Sequence, residues 1–273
     1  MMDLLGIVAS PRKMGNCELI VKAIAEKVPP PVRLRIVRLA GKEIRPCKAC
    51  YRCLSGDCPL RDDFGPVLDA IVSADALIVA APTYLRGPNS SLQRFLDRGL
   101  QFWKHVDALD GKPAVAIAVA GVQDGEGHTL LAVENFLRGM GMSVKGRGVI
   151  RAALPGEALL SEEASAPVAA LAEALVDPAP RPAASPSCTE CGGTYFEFRG
   201  GDRVYCLLCG AGGRVLAENG RVLLRTVPPA HSWRGDASMH AHGEWLRGMR
   251  ERYLRERTRL KEAALRYAGG EFI

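Results

Sequence analysis

Two kinds of block alternate between residue 2 and about residue 150. Short continuous apolar runs are followed by stretches in which apolar residues recur three and four positions apart. Leu4 to Ala9 is the first run, and Leu19, Ile20, Ala23, Ile24 and Val28 then share one face. That spacing predicts a helix, which Pro29-Pro30-Pro31 ends. Val32 to Leu39 predicts a strand and Phe64 to Val72 a helix. Ala76 to Ala81 is apolar throughout, as in a central parallel strand covered on both faces. Leu92 to Phe102 predicts a helix, Pro113 to Ala120 a strand, Leu130 to Met140 a helix and Ser143 to Ile150 a fifth strand. Such alternation implies an α/β fold, a doubly wound parallel five-stranded sheet in the order 2-1-3-4-5. Ligands of these sheets bind beyond the carboxyl ends of the strands, so the loops after strands one, three and four are the candidate site.

The pattern changes after Glu162. An Ala-rich helix runs to about Val176, and residues 177–187 read as a linker whose prolines favour extended backbone. Thr194 to Phe198 and Arg203 to Cys206 flank Arg199-Gly200-Gly201-Asp202, a hairpin signal. A second hairpin turns at Glu218-Asn219-Gly220-Arg221. A helix of about Ser238 to Tyr267 closes the sequence, with a stripe of Leu246, Met249, Tyr253, Leu260, Ala264 and Tyr267. This stripe docks either on the chain's own core or on another subunit. The expected division is residues 1–176, a linker of 177–187, a small module of 188–227 and a basic amphipathic helical segment of 228–273.

Composition adds little to this picture: the 273 residues are 48% hydrophobic and 24% charged, as in ordinary globular proteins. No apolar run reaches the roughly 18 residues of a membrane span, and Met1 to Ala9 has no basic n-region, so a cytoplasmic protein is expected. Residues 234–266 hold nine basic and five acidic residues of the chain's net +6. A solvated helix face explains that charge more simply than nucleic-acid binding.

Chemistry enters with the loops. Ser10-Pro11-Arg12-Lys13-Met14-Gly15-Asn16 joins a strand to a helix N-terminus, where free N–H groups and the helix dipole stabilise an anion. Ser10, Arg12, Asn16 and the backbone at Gly15 can donate to phosphate oxygens. Ala81-Pro82-Thr83-Tyr84 follows the third strand, and Ala120-Gly121-Val122-Gln123-Asp124-Gly125-Glu126-Gly127-His128-Thr129 follows the fourth. All three segments resemble those of the NADPH-dependent FMN reductase and iron–sulfur flavoprotein families, as does Leu92 to Arg98 with its final Asp-Arg. Ala9 stands where those families usually carry glycine. The resemblance implies a flavodoxin-like domain binding FMN through Ser10, Arg12, Lys13, Gly15, Asn16, Cys17, Pro82, Thr83, Tyr84, Leu85, Arg86, Gly121 and Gly125. A dinucleotide is disfavoured, since no G-x-G-x-x-G is present and no acidic residue ends the second strand.

Eight of nine cysteines fall into two groups. Cys47-x2-Cys50-x2-Cys53-x4-Cys58-Pro59, within a loop of residues 45–63, sets three thiols at successive x2 spacing. Zinc knuckles come instead as two separated pairs, whereas ferredoxin-type runs space cysteines this way. The run resembles the iron–sulfur flavoprotein motif that holds a [4Fe–4S] cluster. Zinc, no metal, or a disulfide pair are the competing readings. Cys188-x2-Cys191-Gly192 and Cys206-x2-Cys209-Gly210, with a hairpin between them, match a zinc ribbon. A rubredoxin-like site holding a single iron is the alternative. Cys17 reads as a packed small residue, although a helix N-terminus can activate a thiol. His128 is a candidate flavin neighbour. His231, His240 and His242 read as surface residues.

The resemblance implies a flavin-dependent oxidoreductase, an iron–sulfur flavoprotein passing electrons between FMN-linked donors or acceptors and a ferredoxin-like one-electron carrier, as a homodimer or homotetramer. An NAD(P)H-dependent FMN or quinone reductase without a redox-active cluster is the first alternative. A redox-sensing binding module using the ribbon and basic helix is the second.

Overall fold

The computed structural model describes residues 1–160, 162–177, 186–229, 236–265, 267 and 269. Residues 2–176 form β1 (Met2–Val8), α1 (Asn16–Lys27), β2 (Val32–Arg38), α2 (Phe64–Ser73), β3 (Ala76–Tyr84), β4 (Gly87–Pro88), α3 (Ser91–Leu96), α4 (Val106–Leu109), β5 (Pro113–Ala120), α5 (Thr129–Arg138), β6 (Ser143–Arg151) and α6 (Glu162–Val176). The five long strands run parallel in the order β2-β1-β3-β5-β6. This is the expected doubly wound order, with β5 and β6 as the fourth and fifth long strands. Side chains alternate across the sheet, as strand geometry requires. Leu5, Ile7, Leu77 and Val79 pack in the core on the α2, α3 and α5 side, while Leu4, Val8, Ile78 and Ala80 pack against α1 and α6.

Two local features depart from the hydrophobic pattern. β4, absent from the expected elements, is a two-residue strand that pairs Thr83 with Pro88 and Tyr84 with Gly87. The single helix expected from Leu92 to Phe102 is instead broken. α3 ends at Leu96, a 3-10 segment covers Gly99–His105, and α4 follows. The break lets Arg98 turn inward to pair with Asp62, and lets Phe102 join Phe64 and Phe95 in a stack with centroids 4.6 to 6.3 Å apart.

The small module is a four-stranded antiparallel sheet, β10-β9-β8-β7, of β7 (Phe196–Phe198), β8 (Arg203–Cys206), β9 (Gly212–Glu218) and β10 (Arg221–Val227). It leans on α5 through Leu131 and Tyr195, and Arg147 Nη2 on β6 donates to Gly192 O at 3.4 Å. Of the expected linker, residues 178–185 lie outside the described residues, as does His231.

α7 (Asp236–Leu265) packs by its first half on α4 and the 3-10 segment. Met239 and Leu246 are buried there, and His240 Nε2 lies 3.0 Å from Asp107 Oδ1. The His242 ring lies 4.9 Å from Trp103 and 5.4 Å from Trp245. Docking on the chain's own core therefore accounts for the first half of the stripe. Tyr253 and Leu260 in the second half remain exposed. Among the described residues, no helix is long and apolar enough to cross a membrane.

Candidate functional site

The loop after β1 and the start of α1 form one wall of a cavity of about 230 Å³ at the carboxyl edge of the sheet. Of the residues expected at FMN, Ser10, Arg12, Gly15, Asn16, Cys17, Pro82, Thr83, Tyr84 and Gly121 line it. Val119, Ala152, Ala153 and Pro155 also line it. The sequence reading missed this last wall because it stopped at β6, although β6 ends on the same edge of the sheet. The expected contacts Lys13, Leu85, Arg86 and Gly125 are not among the lining residues.

Buried Ser10 accepts the Arg12 N–H on Oγ at 3.2 Å, which leaves its own proton to donate elsewhere. Asn16 requires a correction. Its amide, expected to reach phosphate, is spent on the segment after β6. Nδ2 donates to Ala152 O and Leu154 O at 3.3 and 2.9 Å, and Oδ1 accepts from Gly156 N and Ala158 N at 2.9 and 3.4 Å. Asn16 therefore clamps two walls of the cavity together. Glu18 was also missed. It sits three residues after the helix N-cap Gly15, the position from which an acid reaches back to free N–H groups. Its carboxylate accepts from Met14 N, Lys22 Nζ and Arg38 Nη2. Bonds from Lys22 and Arg38 hold its pKa down to about 2 despite burial. The loop is thus pinned from behind with its donors facing the cavity. Cys17 is buried, and burial pushes its thiol up to about 12, so it packs rather than reacts.

The turn after β3 carries two non-glycine residues in the left-handed region, Leu85 at φ 49° and Arg86 at φ 64°. That conformation is costly for L-residues, roughly 1–2 kcal/mol each, and the loop before α5 holds it. His128 N donates to Arg86 O at 2.9 Å. Gly127 lies so close that a Cβ there would stand 2.1 Å from Arg86 O, and its own φ is +54°. The His128 ring packs against Gly87 and does not line the cavity.

The first cysteine group wraps a separate small cavity lined by Cys47, Cys50, Cys53, Cys58, Pro59 and Arg98, among others. Ala49 and Tyr51 adopt positive φ, 48° and 58°, so the loop curls around the thiols. A single tetrahedral ion with ~2.3 Å bonds needs sulfurs about 3.8 Å apart. Among the described residues, only the second cysteine group falls within such reach. The first group is not among the sets within that reach. Lys48 and Arg98 both line its cavity, and Arg98 is the buried cation, with Nη2 3.4 Å from Cys58 Sγ and Nη1 2.7 Å from Asp62. Arg98 Nε is buried without a partner. Asp62 is held below the usual carboxylate range. Burial opposes its charge, but N–H donation from Arg45, Arg98 and Phe64 outweighs it.

The second group does meet the single-ion geometry. Cys188, Cys191, Cys206 and Cys209 sulfurs lie within 4.8 Å of one another, with Cys188–Cys209 at 3.7 Å and Cys191–Cys206 at 3.6 Å. Gly192 and Gly210 take positive φ, 68° and 78°, as the knuckle turns require. Burial pushes the Cys209 thiol up to about 12, and a hydrogen bond to Cys206 together with burial raises Cys191. Four adjacent thiolates are therefore tolerable only around a cation. Thr226, unremarked in the sequence, pins the first knuckle: its Oγ1 accepts from Thr189 N at 3.1 Å and lies 3.4 Å from Cys188 Sγ.

Comparison with known proteins gives the chain a family and fold relatives. The family described as NADPH-dependent FMN reductase matches residues 2–153. An iron–sulfur flavoprotein of Methanosarcina thermophila is 32% identical over 148 residues, covering 53% of this chain and 78% of that protein. One of Methanocaldococcus jannaschii is 33% identical over 141 residues, covering 50% and 71%. A solved structure described as flavone reductase superposes with a TM-score of 0.70 at 19% identity, covering 100% of this chain and 99% of that one. The likeness of fold therefore extends through the ribbon and the terminal helix.

Proposed function

The chain belongs to the NADPH-dependent FMN reductase family, in the company of iron–sulfur flavoproteins, and from that premise we propose that it couples FMN to a [4Fe–4S] cluster held by Cys47, Cys50, Cys53 and Cys58. The observation that carries the proposal is the thiol cradle, in which four cysteines open on one cavity with a buried guanidinium against Cys58. It is a flavin-dependent oxidoreductase, and the finer reading is a relay between FMN and a one-electron carrier of the ferredoxin class. When bound, FMN supplies one- and two-electron chemistry and the cluster one-electron chemistry, so that together they join carriers of the two kinds.

The chain's own residues position these groups. Ser10, Arg12 and the N-terminus of α1 supply donors for the phosphate. Asn16 and Glu18 fix that loop, and Tyr84 supplies an aromatic wall. In the ribbon, the tight tetrahedral thiol set supports zinc as a structural ion.

Protein purified without oxygen is expected to hold FMN, with iron and sulfide near four each per chain, and Cys50→Ser is expected to lose the cluster absorption while keeping FMN. Iron-free protein that retains FMN and is reduced quickly by NADPH would instead favour a plain NAD(P)H-dependent reductase. Gly127→Ala should weaken FMN binding by about tenfold or more, about 1.4 kcal/mol, because its Cβ displaces the Arg86 carbonyl and with it the Tyr84 wall. Titrating FMN into apoprotein checks this, and unchanged affinity would remove the 84–88 turn from the site.

A further inference from the structure

A cavity of about 500 Å³ lies between α7 and the first cysteine loop. Its lining is Ala49, Cys50 and Tyr51 from the loop and Met249, Arg250, Tyr253 and Leu254 from α7. The volume falls within the range of small-molecule sites, ~300–1,000 Å³. Its chemistry is one-sided. Two tyrosines, a methionine and a leucine make apolar and aromatic walls, and among the described lining residues Arg250 supplies the one cationic side chain. Arg250 makes no ion pair among the described residues, so its charge is available to a guest. The position is set rather than accidental. Met239 and Leu246 anchor the first half of α7, and the helix then carries Met249 and Tyr253 past the cysteine loop. Tyr51 is held toward solvent, 45% exposed, by a positive φ.

We propose that this cleft binds a planar aromatic anion, such as an aromatic carboxylate, sulfonate or phenolate, beside Cys50. Flat rings stack on tyrosine, thioether sulfur packs at ring edges, and a guanidinium pairs with an acidic substituent. The inference deepens the cluster reading and rests on it for its meaning. It places a small aromatic guest beside Cys50, one of the proposed cluster ligands. The binding itself can be tested separately from the cluster.

Naphthalene-2-sulfonate is a suitable redox-inert probe, and 2-naphthol is its uncharged counterpart. Both are titrated by calorimetry into the full chain, purified anaerobically with FMN bound, and iron is counted in the same sample. Saturable binding of the sulfonate is expected. Arg250→Glu should weaken the sulfonate about tenfold, since it replaces a weak exposed attraction by a repulsion of similar size, and weaken 2-naphthol much less. Met249→Trp, which fills the cleft, should weaken both. Absence of saturable binding overturns the proposal, as does equal affinity in both variants and the parent. Low iron with these binding results intact would count against the cluster reading and leave the cleft standing.

Discussion

Cys206→Ser is expected to unfold the ribbon while leaving the flavin domain folded. Cys206 is fully buried, and its sulfur lies 3.6 Å from Cys191 Sγ. The ribbon's buried core comprises Cys188, Cys206, Leu208, Cys209 and Ala211. Three of those five residues are thiols of the proposed zinc site, so too little apolar surface remains to hold four strands without an ion. Structural zinc in comparable small modules contributes roughly 10–16 kcal/mol of apparent binding free energy, which is folding free energy there. Loss of one thiolate forfeits most of it. Hydrogen exchange should then show residues 188–227 unprotected and β1 through β6 still protected. The sheet keeps its own two cores, and the ribbon touches it mainly through Leu131, Tyr195 and the Arg147 bond to Gly192. The parent protein should hold one zinc per chain and no colour from this module. A red, reducible iron would replace zinc in this account. Unchanged protection in Cys206→Ser with the metal retained would end the claim that the ion holds the module.

The sequence made the long strands and both cysteine groups legible because each is a local signal, and the strand order followed from the alternation of strand and helix. Continuous apolar runs mark buried strands, and repeated C-x-x-C steps mark thiol sites whatever the surroundings. What it hid were decisions made across the fold. Asn16 reads as a phosphate donor in its loop, yet its four hydrogen bonds go to residues 152–158, more than 130 positions away. Glu18 carries no such role on its own, because one of its partners, Arg38, comes from the end of β2, twenty positions away. The continuous helix predicted over 92–102 breaks because pairing Arg98 with Asp62 outweighs local helix propensity. β4 is invisible because the turn before it uses Leu85 and Arg86, not the glycines or asparagines that normally announce such a turn. The second half of α7 shows the converse: its stripe is plain in the sequence, but amphipathicity alone does not name the surface that covers it.

Arg98→Leu should damage the cysteine loop more than any other single substitution outside the cysteines. Arg98 and Asp62 are both almost wholly buried, with side chains 2% and 1% exposed, and they pair at 2.7 Å. The same guanidinium donates to Arg45 O at 3.2 Å, lies 3.4 Å from Cys58 Sγ and stacks 4.5 Å above the Phe64 ring. Leucine removes the cation and leaves Asp62 buried with only its backbone donors. Breaking one side of a buried pair costs about 3–5 kcal/mol, which urea unfolding of the flavin domain would read. Arg98→Lys separates charge from geometry. Lysine keeps the positive charge but has no planar fork to serve Asp62, Arg45 and Cys58 together, so it should recover part of the stability and little of the loop's order. A positive charge against a ligand sulfur also favours the reduced cluster, so Arg98→Lys that retains iron should show a lower reduction potential than the parent if the contact with Cys58 is lost. FMN content should stay near parental in both variants, since Arg98 does not line the flavin cavity. Parental stability and iron content in Arg98→Leu would show that the cysteine loop stands without its buried cation.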